Sequence, residues 1–133
     1  VTMEKIKKDI VSKLSLIISK DFDTSIYQIS KKRYLLFWEE DIDKNNVNKC
    51  LEKIDSIYNS FGKYKLIIVV GKTSESFTKT ELFYFNNIDT FVVFYLLDFS
   101  NKKVYMNDRS IFVLGLNYKK TIKKLNKIIK FKQ

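Results

Sequence analysis

Met3, Ile6, Ile10, Leu14 and Ile17 recur at three- and four-residue steps behind Thr2, the spacing of one helical face with a hydroxyl N-cap, and predict a first helix reaching about Ser19. Leu16 falls off that stripe. Two short runs rich in β-branched and aromatic residues, SIYQI and RYLLFW, are joined by SKK and predict a hairpin over 25–38. After EEDID, the residues Val47, Cys50, Leu51, Ile54, Ile57, Tyr58 and Phe61 share one face of a second helix, which closes at Gly62 as its C-cap. KLIIVV at 65–70 and FVVFYLL at 91–97 are apolar without alternation, the pattern of strands covered on both faces. DFSNKK turns into a strand VYMN, SIFVL reads as a further strand, and the lysine-rich end forms the last helix. Residues 72–89 read either as a short helix plus a strand ELFYF or as an ordered loop.

No linker, composition break or internal repeat divides the chain, so residues 1–133 are read as a single domain. With 45% hydrophobic and 15% aromatic residues it has enough apolar material to fold without staples. The expected fold is α+β: a mainly antiparallel sheet of five to six strands flanked by three amphipathic helices, in the order α-β-β-α-β-(β)-β-β-α. That order is similar to the one in roadblock and longin modules. The likeness lies in topology alone, without a shared residue motif, and it implies a scaffold or regulatory role.

Composition narrows the chemistry. The chain has no histidine, which removes Ser-His and Cys-His nucleophile pairs, imidazole bases and His-containing zinc sites, and its single cysteine removes Cys-rich clusters. No cofactor or metal site is assigned, and the first reading is non-enzymatic, with any catalysis left to carboxylates, lysines, tyrosines or hydroxyls. A lone Cys50 cannot pair within the chain, and no basic start leads into an apolar run, so the expected setting is the cytoplasm. The longest apolar run, Phe91 to Leu97, is far short of the roughly 20 residues of a membrane span.

Net charge is +10, but it is not spread evenly: the last 17 residues, NYKKTIKKLNKIIKFKQ, hold seven lysines and no acid, leaving eighteen bases against fifteen acids elsewhere. In that helix Tyr118, Ile122, Leu125 and Ile129 stack on one face. Lys119, Lys120, Lys123, Lys124, Lys127 and Lys130 fill an opposing arc of about 140°. A rail of this kind neutralises phosphates without reading bases. Lysines near a helix C-terminus also suit its dipole and keep a protein soluble, and the abundance of Lys, Ile and Asn matches an AT-rich genome.

Other motifs are weaker. Gly71-Lys72-Thr73 ends like a phosphate-binding loop, but Leu66 stands where the first glycine of that loop belongs, so the run reads as a glycine ending a strand. Lys72 extends the basic face if it shares a surface with the last helix. In DIDKNNVNKCLE, Asp41, Asp43, Asn45 and Glu52 match calcium-loop positions, yet Asn46 replaces the turn glycine and Val47 already belongs to the helical stripe. Asp41 and Asp43 therefore read as N-cap and first-turn acids. Glu39, Glu40, Asp41, Asp43, Glu81, Asp89 and Asp98 lie near predicted strand ends, but no lysine stands two residues after a strand-borne acid, as a metal-dependent nuclease would require. Phe83, Tyr84, Phe85, Phe91, Phe94, Tyr95 and Phe99 read as core, with Tyr84 and Tyr105 left as rings able to stack on bases. Arg109 beside Asp108 reads as a local ion pair, and Trp38 as either core or an interface anchor.

Three functional expectations follow. The first is a small basic binding protein contacting nucleic acid or another polyanion through Lys119, Lys120, Lys123, Lys124, Lys127, Lys130 and Lys72. The second is a protein-interaction or regulatory module, a homodimeric scaffold or an inhibitor of a larger partner. The third is a metal-dependent nuclease built on the clustered carboxylates.

Overall fold

The computed structural model describes residues 2–14, 17–18, 26–30, 33–61, 66–84, 92–107 and 111–129. Ten elements follow in order: α1 (Met3–Lys13), β1 (Ile17–Ile18), β2 (Ile26–Ser30), β3 (Arg33–Asp41), α2 (Val47–Phe61), β4 (Leu66–Lys72), α3 (Lys79–Tyr84), β5 (Val92–Asp98), β6 (Lys103–Met106) and α4 (Ile111–Ile128). The strands form one sheet in sequence order, β1 contributing only two residues at its edge. Class and two-faced cover agree with the α+β expectation.

The sheet is mixed, however, and its centre is parallel. β1, β2 and β3 pair antiparallel, β3–β4 and β4–β5 pair parallel, and β6 returns antiparallel to β5. Parallel neighbours need a crossover, and α2 and α3 provide the two. The mainly antiparallel sheet read from the sequence is thus met in part: three of the five pairings are antiparallel, and the two central ones are parallel. Strands buried on both faces, as β4 and β5 are, belong to parallel centres with helices above and below.

Further corrections concern element type. Lys79–Tyr84 is a fourth helix, so the start of ELFYF is helical, while Phe85 lies outside the described residues. Short apolar runs do not reveal their period, and here a local cap decides: Thr78 Oγ1 accepts from the Glu81 N–H at 3.1 Å, and Glu81 Oε1 accepts from the Thr78 N–H at 2.9 Å. Ile111–Leu114 of SIFVL likewise belongs to α4, which runs through Gly115 without a break. At the other end, α1 takes the expected Thr2 cap, whose Oγ1 accepts from the Lys5 N–H at 3.3 Å, but stops at Lys13. Ile17 and Ile18 pair with Gln28 and Tyr27 instead of extending the helix. β3 continues past Trp38 to Asp41, and β4 past Gly71 to Lys72. The expected C-cap at Gly62, the strand start at Phe91 and the Asp108–Arg109 pair lie outside the described residues.

Alternation along the central strands divides the core in two. Leu35, Phe37, Ile68, Val70, Val93, Tyr95 and Leu97 point to one side, where Ile6 and Ile10 of α1 and Leu125 and Ile129 cover them. Leu36, Ile67, Val69, Val92, Phe94 and Leu96 point to the other side, under Val47, Cys50, Leu51 and Ile54 of α2, with Phe77 and the half-buried Leu82 of α3. Every residue of β5 is buried, at about 1.5–3 kcal/mol for each large aliphatic side chain removed from water.

Two asparagines close the polar accounts. Asn107, fully buried, donates from Nδ2 to the Val92 carbonyl at 3.0 Å and accepts the Phe94 N–H on Oδ1, so a side chain takes over the β5 ladder just beyond β6. Tyr95, buried in the centre of the sheet, donates its hydroxyl to Asn126 Oδ1 of α4 at 3.1 Å, a directional tether between helix and sheet.

Candidate functional site

α4 lies as its pattern requires. Leu125 and Ile129 are buried and Ile122 and Ile128 half-buried against the sheet, whereas Lys120, Lys123, Lys124 and Lys127 are all exposed. Lys119 falls within the helix, and Lys130 lies outside the described residues. α1 packs beside α4 over the same sheet face and exposes Lys5, Lys8 and Lys13. Lys7 is half-buried, with its Nζ 5.4 Å from the centre of the Phe37 ring.

The two helical layers differ sharply in charge. α1 has four lysines against two acids and α4 five lysines against none, a net of seven positive charges. α2 has two lysines against two acids and α3 one of each, a net of zero. The lysines of α1 were not singled out from sequence, because their bearing on the site depends on α1 and α4 being neighbours. The wheel that puts Ile6 and Ile10 inward already turns Lys5 and Lys8 away from the core, while Lys13, three residues after Ile10, is exposed as the last residue of α1.

Lys72 ends β4 in register with Leu97, so the pleat puts it on the same sheet face as α1 and α4. Its Nζ is 3.8 Å from Asp41 Oδ1, an exposed pair of the kind that contributes little. Gly71 and Lys72 are both strand residues, so GKT forms no anion-binding turn; the Thr73 N–H donates to the Leu97 carbonyl at 3.0 Å. Gly71 is required by Ile42, since a Cβ on residue 71 would stand 2.7 Å from Ile42 Cδ1.

The Asp41–Asn46 segment is a helix entry. Asp43 Oδ1 accepts from the N–H groups of Asn45 and Asn46 at 2.7 and 2.8 Å, and Asn46 Oδ1 accepts from the Asp43 N–H at 2.8 Å, a reciprocal cap ahead of α2. Asp43 thus caps as expected. Asp41 is instead the last residue of β3, its carbonyl accepting from Asn46 Nδ2 at 2.6 Å. Asp89 lies outside the described residues, among which no three carboxylate or thiol groups gather into a set that could hold a metal ion.

Lys44 clasps the two loops above the parallel strands. Its N–H donates to Glu75 Oε2 at 3.3 Å, its Nζ meets Glu81 Oε2 at 2.8 Å, and the ammonium lies 5.7 Å from the centre of the Phe77 ring. The hydrogen bond to Glu81 raises the Lys44 pKa, and the bonds from Lys44 and from the Thr78 N–H lower that of Glu81. Asp98 is tied into the β5–β6 turn: the Asn101 side-chain amide and N–H, at 2.9 and 3.1 Å, hold its carboxyl below the ordinary range. Lys102 takes a left-handed φ of 53° in this turn. Burial pushes the Cys50 thiol up to about 12, which leaves it protonated and unreactive.

Among the aromatic candidates, Phe94 and Tyr95 are buried and Phe99 half-buried, as expected of core residues. Tyr105 is half-buried on the α2 side, edge-on to Phe77 at 5.6 Å, away from the lysines. Trp38 is half-buried on that side too, with Lys53 Nζ 5.2 Å from its ring centre. No helix among the described residues is long and apolar enough to cross a membrane. Comparison with protein-family models, with curated proteins and with solved structures finds no match.

Proposed function

We propose that the protein is a small basic cytoplasmic binding protein, non-enzymatic, that contacts nucleic acid or another polyanion through the lysine face of α4. The observation that carries this reading is the charge difference between the two helical layers, seven net positive charges on α1 and α4 against none on α2 and α3. Lysines serving solubility alone have no reason to gather on one layer. Lysine holds phosphate as a point charge, without the planar fork with which arginine reads guanine, so binding is backbone-directed and weakly sequence-specific. Fluorescence anisotropy with labelled oligonucleotides tests it. Four phosphates neutralised give a loss of about two orders of magnitude in affinity between about 50 and 200 mM salt. Absence of binding at the lowest salt sinks the reading.

A second reading, a protein-interaction or regulatory module, draws on Trp38, whose half-buried ring is the type of residue that anchors interfaces. Light scattering that returns a stable dimer, abolished by Trp38→Ala, supports it.

A further inference from the structure

The neighbouring placement of α1 and α4 gives the basic face a width that a single helix lacks. We infer that α1 supplies a second set of phosphate contacts, Lys5, Lys8 and Lys13, and that the two-helix platform is built for a double-stranded nucleic acid. This rests on the reading of the α4 face as a nucleic-acid surface.

Two observations favour a duplex over a single strand. Proteins that hold single strands stack unpaired bases on exposed rings set among their cations. On the α1 and α4 side the described rings are buried at Tyr27, Phe37 and Tyr95 and half-buried at Phe99, which packs against that core, while Tyr34, Trp38 and Tyr105 belong to the opposite face. Among the rings whose side chains are described, then, none on the lysine layer is exposed. The second observation is spacing. Packed helices lie about 8–10 Å apart, so α1 and α4, which are in contact, present exposed cations from two neighbouring helices rather than along one line. A duplex offers phosphates on both borders of a groove, about 6 or 12 Å across, and can meet both sets. A single strand offers one file of charge and uses one. Lys7 takes no part, since its ammonium is over Phe37, and Glu4 and Asp9 lower the charge of α1 without cancelling it.

The test compares a DNA duplex of about 20 base pairs, an RNA duplex and the single DNA strand in salt titrations. Three proteins are used: the unaltered chain, Lys5→Gln/Lys8→Gln/Lys13→Gln, and the charge-conserving Lys5→Arg/Lys8→Arg/Lys13→Arg. All three positions are exposed, and circular dichroism checks that each variant folds. The expected result is tighter binding of at least one duplex than of the single strand. The slope of log affinity against log salt for the duplex flattens by about 2–3 in the glutamine variant and is kept in the arginine variant. Single-strand binding as tight as duplex binding, or an unchanged slope in the glutamine variant, overturns the inference and leaves the α4 reading standing. Loss of binding to all three probes in the unaltered protein at low salt removes both.

Discussion

Gly71 shows how one missing side chain can be dictated by a neighbour at the end of the adjacent strand. Ile42, fully buried, occupies the space a Cβ on residue 71 would need, and the Trp38 Cβ at 3.4 Å closes the other approach. Gly71→Ala therefore overpacks the junction and is expected to destabilise by about 1–3 kcal/mol in urea titrations. Ile42→Val removes the Cδ1 atom in conflict, so the double variant recovers most of that loss; no coupling between the two positions would disprove the steric account. Asp98 offers a test of a different kind. Its carboxyl is held below the ordinary value of about 3.9 by Asn101, so its contribution is complete above that value and is lost as pH falls through the lower folded value. The stability gap between the unaltered protein and Asp98→Asn should be constant near neutrality and narrow only below about pH 4. A gap that closes at higher pH would contradict this sign.

At the scale of elements, the loops above the parallel strands are built from reciprocal caps, Asp43 with Asn46 ahead of α2 and Thr78 with Glu81 ahead of α3. Lys44 joins them by bonding Glu81. Thr78→Ala and Glu81→Ala should each cost about 0.5–2 kcal/mol by denaturant unfolding, and the double variant less than the sum. Strict additivity would mean that the cap is not a unit. The same caps mark what the sequence could disclose. Val47 to Ile54 carries a full helical stripe, and α2 is legible from it. Six residues from Lys79 to Tyr84 are too few to show a period, so α3 could be recognised only through T-x-x-E at its entrance. The doubly covered runs at β4 and β5 were legible as central strands. Their parallel pairing was not, because direction depends on whether a crossover lies between them, and the crossover was the helix that periodicity could not reveal. On the site, the lysines of α4 stood out because they are consecutive in sequence. Those of α1 did not, because only folding makes the two helices neighbours.

For the whole molecule, the lysine layer is a burden on stability that binding would justify. Lys120 and Lys123, Lys120 and Lys124, Lys123 and Lys127, and Lys124 and Lys127 are like-charged at three- and four-residue spacing, each pair costing about 0.2–0.5 kcal/mol at low salt. Lys127 is the exception in part, since a cation in the last turn of α4 favours the helix dipole. Replacing Lys120, Lys123 and Lys124 with glutamine while keeping Lys127 should therefore raise stability by about 1 kcal/mol, or some 3–4 °C in Tm, and the gain should shrink as salt screens the repulsion. Polyanion affinity should fall in the same variant. Opposite movements of stability and affinity are what a binding face predicts, because repulsion kept in the free protein is relieved only when phosphates arrive. If Tm falls instead, the lysine stems are packing on the helix surface and their charge is incidental to their position. If Tm rises and affinity is unchanged, the face is not the site, and the half-buried Trp38 on the opposite layer becomes the surface to probe.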